Sequence, residues 1–186
     1  MKIVVTGGPG GGKTTALDLF KRELVENIVV VPEAATSVFQ SGVARDKRAE
    51  VVKDIQKMIY DYQINLESIY EKQNPGKILL CDRGTLDGMA YWPDGCGSFF
   101  DKINSTYEQE LNRYDAVIFF ETGANSGGDI TSNNIYRSET NRQAIELDRK
   151  LKEIWSVHPN FYFVDSKKSF MDKIISGVEI LKTVVK

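Results

Sequence analysis

Five short runs of consecutive apolar residues punctuate the chain: Ile3-Val4-Val5, Ile28-Val29-Val30-Val31, Ile78-Leu79-Leu80-Cys81, Ala116-Val117-Ile118-Phe119-Phe120 and Phe161-Tyr162-Phe163-Val164. Runs this short, without polar alternation, suit strands buried on both faces, as in a parallel sheet. Helical patterns separate them. The first covers Ala16 to Leu24, and a short one covers Ala34 to Gln40, where Ser41-Gly42 breaks it. From Arg45 to Gln73, the residues Val51, Val52, Ile55, Met58, Ile59, Tyr62, Leu66, Ile69 and Tyr70 recur at threes and fours. They predict one apolar stripe on one long helix, which Asn74-Pro75-Gly76 ends. Thr85 or Asp87 is expected to cap a short helix through Tyr91, and Pro93 to Gly97 reads as a loop. Further helices are predicted from Phe99 to Arg113, from about Glu139 to Val157 with a cap near Ser138, and from about Phe170 to Val184.

Strands alternating with helices predict βαβ units with right-handed crossovers, hence an α/β protein with a five-stranded parallel sheet covered by helices on both faces. There is no internal repeat and no linker, and 186 residues suit one core. Residues 1–186 are therefore expected to be one domain. The stretch from Gly123 to Asn134 is polar and glycine-rich, so a flexible loop and lid are expected at about 122–142.

Charge narrows the classes of partner. With 24 basic against 26 acidic residues and no block of like charges, the chain lacks a field for holding nucleic acid. No apolar run approaches the ~20 residues needed to span a membrane. Met1-Lys2 leads straight into the first strand without a leader pattern. Cys81 lies in an apolar run and Cys96 in a glycine-flanked loop, a spacing that suggests neither a metal site nor a disulfide framework. A soluble cytoplasmic protein is expected, with neither nucleic acid nor membrane among its partners.

Chemistry enters directly after the first strand. Gly7-Gly8-Pro9-Gly10-Gly11-Gly12-Lys13-Thr14 matches G-x-x-x-x-G-K-[ST], with Thr15 following, and sits between a strand and a helix, the context a P-loop requires. Glycines without β-carbons let a phosphate approach the backbone N–H groups. Lys13, expected to be solvated until it meets phosphate, reaches the β- and γ-phosphates, and the Thr14 hydroxyl ligates Mg²⁺. The helix after them points its positive end at the anion. The other predicted strands end on Glu33, Asp82, Glu121 and Asp165, and ligands of open parallel sheets bind beyond those ends. Asp165 before Ser166 is the one most easily read as a helix cap.

The P-loop, Pro32-Glu33-Ala34-Ala35, Asp82-Arg83-Gly84-Thr85-Leu86-Asp87, and Tyr136-Arg137-Ser138-Glu139-Thr140 with Leu147-Asp148 together resemble a nucleoside-kinase-like P-loop family that carries an AAA label. That family includes the nicotinamide riboside kinase part of a bacterial NAD-regulatory protein and the nucleotide-binding domain of the TRPL translocation defect proteins. The resemblance implies the fold of nucleoside and nucleoside-monophosphate kinases. It implies Glu33 as base toward an acceptor hydroxyl, with Asp82 the alternative base. Asp82 and Arg83 are implied to hold Mg²⁺ through water and to position substrate, and Arg137 to close over the phosphates, with Arg142 a second lid candidate. Asp87 and Tyr91, beside the Asp-Arg pair, lie where the acceptor binds. The stretch from Thr122 to Asn134 lacks the arginine cluster of many monophosphate-kinase lids, and no arginine finger or sensor of a ring-forming AAA+ ATPase is visible.

The function expected is Mg²⁺-dependent phosphoryl transfer from ATP or GTP to a nucleoside-like small molecule. The alternative is a nucleotide-binding regulator that hydrolyses slowly and has no acceptor. The Asn-Lys-x-Asp box of signalling GTPases is absent, and the base of the donor stays open.

Overall fold

Residues 1–23, 27–93, 96–126, 140–166 and 169–185 are described by a computed structural model. Every apolar run is a strand of one parallel sheet: β1 (Lys2–Thr6), β2 (Ile28–Val31), β3 (Ile78–Asp82), β4 (Ala116–Phe120) and β5 (Phe161–Val164), in the order β2-β3-β1-β4-β5. Val4 lies opposite Cys81 on one side and opposite Val117 on the other, so β1 is central and the P-loop leaves the middle of the sheet.

The two-residue period of a strand sorts the apolar runs between two cores. Ile3, Val5, Leu80, Ile118 and Phe120 face α1 (Lys13–Glu23) and α7 (Phe170–Val184), where Ala16, Leu17, Phe20, Ile174, Val178 and Leu181 meet them. Val4, Leu79, Cys81 and Val117 face the opposite way, against Leu86, Tyr114 and Trp155. That second layer contains α3 (Ala49–Gln73), a 3-10 helix (Thr85–Tyr91) and α6 (Asn141–Trp155). A smaller helix, α2 (Ala34–Gln40), has the bounds expected of it and packs on α3.

Several helices depart from the sequence expectation, each for a local reason. The expected helix from Arg45 begins only at Ala49, because Asp46 accepts hydrogen bonds from the Arg48 backbone N–H (2.8 Å) and side chain and holds a competing turn. The stripe on α3 is met in part: Ile55 is buried and Leu66 and Tyr70 pack on the second layer, but Met58, Tyr62 and Ile69 are exposed, while Tyr60, Gln63 and Glu67, outside the expected stripe, are buried. The helix expected from Phe99 to Arg113 is two, α4 (Cys96–Ile103) and α5 (Tyr107–Leu111). Asn104 takes a positive φ of 53°, and Thr106 caps α5 with Gln109 in a capping box. Thr140 and Gln143 form another such box at α6, two residues after the expected Ser138 cap. Neither Thr85 nor Asp87 caps the 3-10 helix, whose N-cap position is Gly84.

Leu24, Asp94, Gly95, Ser138 and Glu139, named above in elements, lie outside the described residues, as do residues 127–139 of the expected lid. Gly123–Ser126, where that loop was expected to start, is a 3-10 turn. No helix of the described residues is long and apolar enough to cross a membrane.

Candidate active site

The glycines of the P-loop are required by contact as well as by φ. Gly7 has φ 131°, and a β-carbon there would stand 1.9 Å from the Phe120 carbonyl oxygen. At Gly8 a β-carbon would meet Oδ1 of Asp148 at 2.5 Å. That oxygen accepts from the N–H groups of Gly8 and Thr122, both at 2.8 Å, so α6 is pinned to the loop and to the end of β4. Thr122 Oγ1 in turn donates to the Pro9 carbonyl at 2.5 Å. Burial raises the Asp148 carboxyl above its ordinary range, against the two N–H bonds that lower it. Sequence reasoning gave Asp148 no such role, although an acid on the stripe Ala144, Asp148, Leu151, Trp155 is the signal of a buried, bonded carboxylate.

Lys13 opens α1 but is 5% exposed, and its Nζ donates to the carbonyls of Gly7 (2.9 Å) and Gly8 (2.8 Å). The expectation of a solvated lysine is therefore corrected: the ammonium is already gathered into the loop. Thr14 and Thr15 follow it, exposed, in the first turn of the helix.

Arg83 is the hub beyond β3. It adopts φ 77°, rare for a side chain with a β-carbon, and thereby turns back over the P-loop. Nη1 donates to the Gly7 carbonyl (2.7 Å) and to Asp87 Oδ2 (3.2 Å), and Nε donates to Glu33 Oε1 (3.2 Å). Burial alone would lower its proton affinity, yet Tyr91, Asp87, Glu33 and Asp82 around it raise it. Asp87 also accepts from Thr6 Oγ1 and from Trp155 Nε1, each at 2.7 Å. Its carboxylate thus grips Arg83, and Asp87 also lines the cleft beside the 3-10 helix, where the acceptor was expected.

Glu33 occupies the N-cap position of α2 without capping it. Its carboxylate accepts from Thr36 Oγ1 and from Arg83 instead. Burial pushes this carboxyl up, but Arg83, Thr36 and Lys13 together hold it below the usual range. Asp82 behaves oppositely: burial and the neighbouring Glu33 push it up to about 6. Two nearby carboxyls are driven apart in proton affinity, as happens where acid-base work is divided.

A cleft of about 960 Å³, part of it open to solvent, lies between α2, α3 and the 3-10 helix. Its walls include Phe39, Gln56, Tyr60 and Tyr91. Glu33, Arg83 and Pro9 of the P-loop lie along it, so it borders the phosphate cradle. Asp82 is not among its lining residues.

Other expected participants are placed elsewhere. Glu121 Oε2 accepts from Ser166 N–H (2.9 Å) and Oγ (2.6 Å), joining β4 to the turn after β5. Ser169, and not Asp165, caps α7. Arg142 is exposed in the first turn of α6. Arg137, with Tyr136, lies outside the described residues.

Among the described residues no group of three or more His, Cys, Asp or Glu is placed to hold a metal ion. The hydroxyl of Thr14 and the carboxylate of Asp82 nonetheless fit Mg²⁺, a hard cation usually held by one or two oxygen side chains and completed by substrate phosphates. Asp82 accepts no side-chain hydrogen bond among the described residues and has a raised proton affinity, both consistent with a carboxylate that gains from a cation.

Comparison with known proteins agrees with this fold. The family model described as AAA domain (AAA_28) matches residues 2–173. The thymidylate kinase of Finegoldia magna is 23% identical over 203 residues, covering 98% of each chain. A solved structure of deoxyadenosine kinase from M. mycoides, holding dCMP and a flexible dCDP, superposes with a TM-score of 0.56 at 19% identity. It covers 99% of this chain and 100% of its own. That likeness shows the fold: a five-stranded parallel sheet of the P-loop kinase type.

Proposed function

The chain belongs to the AAA domain family, and from that premise we propose that it is a phosphotransferase that moves the γ-phosphoryl group of ATP or GTP to the hydroxyl of a nucleoside-like small molecule. The observation that carries the reading is the position of Glu33. Its carboxylate lies on an aromatic-walled cleft that borders the P-loop, where a planar ring can lie against Phe39 and Tyr91 with a hydroxyl toward the phosphates. A protein that only switches with its nucleotide needs no second cleft there.

In this mechanism the P-loop N–H groups and Lys13 hold the donor phosphates. Thr14 and Asp82 are the residues that would hold Mg²⁺, which when bound neutralises charge on the β- and γ-phosphates. Glu33 takes the proton of the acceptor hydroxyl as that oxygen attacks phosphorus, the bond to the β,γ-bridging oxygen breaks, and the nucleoside diphosphate leaves. The cleft favours Glu33 over Asp82 for this task, since only Glu33 lines it. Arg83 orients Glu33 and faces the transferred group. A nucleoside fits better than a nucleoside monophosphate, because no described arginine other than Arg83 and Arg45 lines the cleft.

The test is a screen of nucleosides as acceptors, with ATP and GTP as donors and Mg²⁺ present. At least one acceptor is expected to be phosphorylated, and Glu33→Gln to lower that transfer by on the order of a hundredfold or more with nucleotide affinity kept. If no acceptor is phosphorylated and Glu33→Gln leaves slow background hydrolysis unchanged, the kinase reading is lost to a nucleotide-dependent regulator. Collapse in Asp82→Asn alone would reassign the base.

A further inference from the structure

The face of α3 that meets the sheet carries a buried carboxylate. Glu67 is 1% exposed and lies in the layer of Cys81, Tyr114 and Trp155. Its Oε1 accepts from Gln63 Nε2 and from the Tyr114 hydroxyl, both at 2.8 Å. Its Oε2 has Lys2 Nζ at 3.1 Å and no well-formed hydrogen bond. Stability alone does not explain a carboxylate here, because a buried ion pair seldom outperforms hydrocarbon of equal volume.

The partners of Glu67 show what it does. Gln63 Nε2 also reaches the Arg83 carbonyl, at 3.4 Å, and the Tyr114 hydroxyl accepts the Thr85 N–H at 3.0 Å. One carboxylate oxygen therefore sets the side chains that grip the backbone on both sides of Gly84. Behind that glycine lies the Trp155 ring, where a β-carbon on residue 84 would be 2.6 Å from Cζ2. Arg83, held between these clamps, is the residue with φ 77°. Its guanidinium direction depends on that backbone, since a strained φ persists only where the surroundings over-determine it.

We propose that Glu67 is a positioning residue for Arg83: through Gln63 and Tyr114 it clamps the turn after β3, so that the guanidinium addresses Glu33 and the Gly7 carbonyl. Glu67 touches neither the cleft nor the phosphate cradle. Its effect on turnover rests on the phosphotransferase reading; its effect on the Arg83 geometry does not.

The experiment pairs a spectroscopic with a kinetic readout on the full chain. In protein carrying ¹⁵N-labelled arginine, the Arg83 Nε–Hε signal reports the bond to Glu33 and needs no acceptor. Glu67→Leu removes the shared acceptor, and Glu67→Gln keeps an oxygen in its place. Tyr114→Phe removes the hydroxyl that joins Glu67 to the Thr85 N–H and leaves the Gln63 arm in place, so the clamp can be judged even where Glu67→Leu does not fold. In Glu67→Leu and Tyr114→Phe the signal is expected to move toward that of a free guanidinium, while Glu67→Gln stays near the wild type. With a nucleoside acceptor, Glu67→Leu should lower kcat roughly tenfold with the KM for ATP within about twofold, and cost little more in an Arg83→Ala background. An unmoved Arg83 signal in the folded variants, or an equal loss in the Arg83→Ala background, overturns the proposal. If no acceptor is phosphorylated, the functional reading fails by itself and the signal still decides the role of Glu67.

Discussion

Both faces of the sheet are packed with hydrocarbon but differ in what else they hold. Under α1 and α7 the layer is filled by Ile3, Val5, Phe20, Ile118, Phe120, Ile174 and Leu181. Under α3, α6 and the 3-10 helix, Val4, Leu79, Cys81 and Val117 share the interior with Gln63, Glu67 and Asp87. Hydrophobic packing is non-directional, so the first layer can hold the P-loop strand and its helix together without setting the angle of any polar group. Hydrogen bonds are directional, and an unmet one in the interior is costly, so the second layer fixes angles. The second face lies under the turn that aims Arg83, where angle matters.

Breaking the first layer should give the largest loss of stability. Phe20 is fully buried and its ring centroid lies 6.5 Å from that of Phe120. Phe20→Ala is expected to cost roughly 3–5 kcal/mol in urea denaturation through the cavity it leaves. A loss under about 1 kcal/mol would mean that α1 relaxes inward, and that this layer is not the tightly packed one.

Breaking the second layer should cost less stability and more function. Asp87→Asn keeps the shape but cannot accept from Thr6, Arg83 and Trp155 together, and about 1–3 kcal/mol is expected in urea. Phosphoryl transfer, measured well below the melting temperature, should fall by about tenfold or more because Arg83 loses one of its anchors. Full activity in a destabilised Asp87→Asn would show that the polar layer is structural only, and would dissolve the contrast between the faces.

The smallest effect should sharpen the contrast by its sign. Asp82 has a proton affinity raised to about 6 by burial and by Glu33, above that of an unfolded aspartate. Between the two values the folded protein binds more protons than the unfolded one, so this group costs stability as pH rises through that window. The penalty is complete above about 6. Asp82→Asn is therefore expected to melt on the order of 5 °C higher than wild type at pH 7.5, without nucleotide or Mg²⁺, with the difference vanishing near pH 4. A lower melting temperature at pH 7.5 would make Asp82 a net stabilising partner of Arg83 and remove it from the site's strained groups.

Local sequence carried much of this architecture. The P-loop was legible because its spacing, strand and helix are contiguous, and the five strands because each is a short unbroken apolar run. Glu33, Asp82 and Arg83 were legible as strand-end residues, and the structure brings them together. The α3 stripe was legible only in part, through Ile55, Leu66 and Tyr70. Counting apolar residues chose Met58, Tyr62 and Ile69, which are exposed, over Tyr60, Gln63 and Glu67, which pack inward. Polarity misleads where a helix face satisfies its polar groups against another element rather than water. Asp148 stood out only as part of a family pattern and its bonding role was not legible, since its partners at Gly8 and Thr122 are distant in the chain.

The sequence by itself determined the strands, the phosphate loop and the acids at the strand ends, because each depends on neighbours within a few residues. Only the tertiary structure decided that Asp87 faces inward, that Lys13 is already folded into its loop, and that Glu67 stands behind Arg83. Those outcomes depend on which buried donor meets which buried acceptor across elements up to 81 residues apart, as between Thr6 and Asp87. Such pairings follow from three-dimensional packing, since a polar group leaves water only where a partner is held in reach.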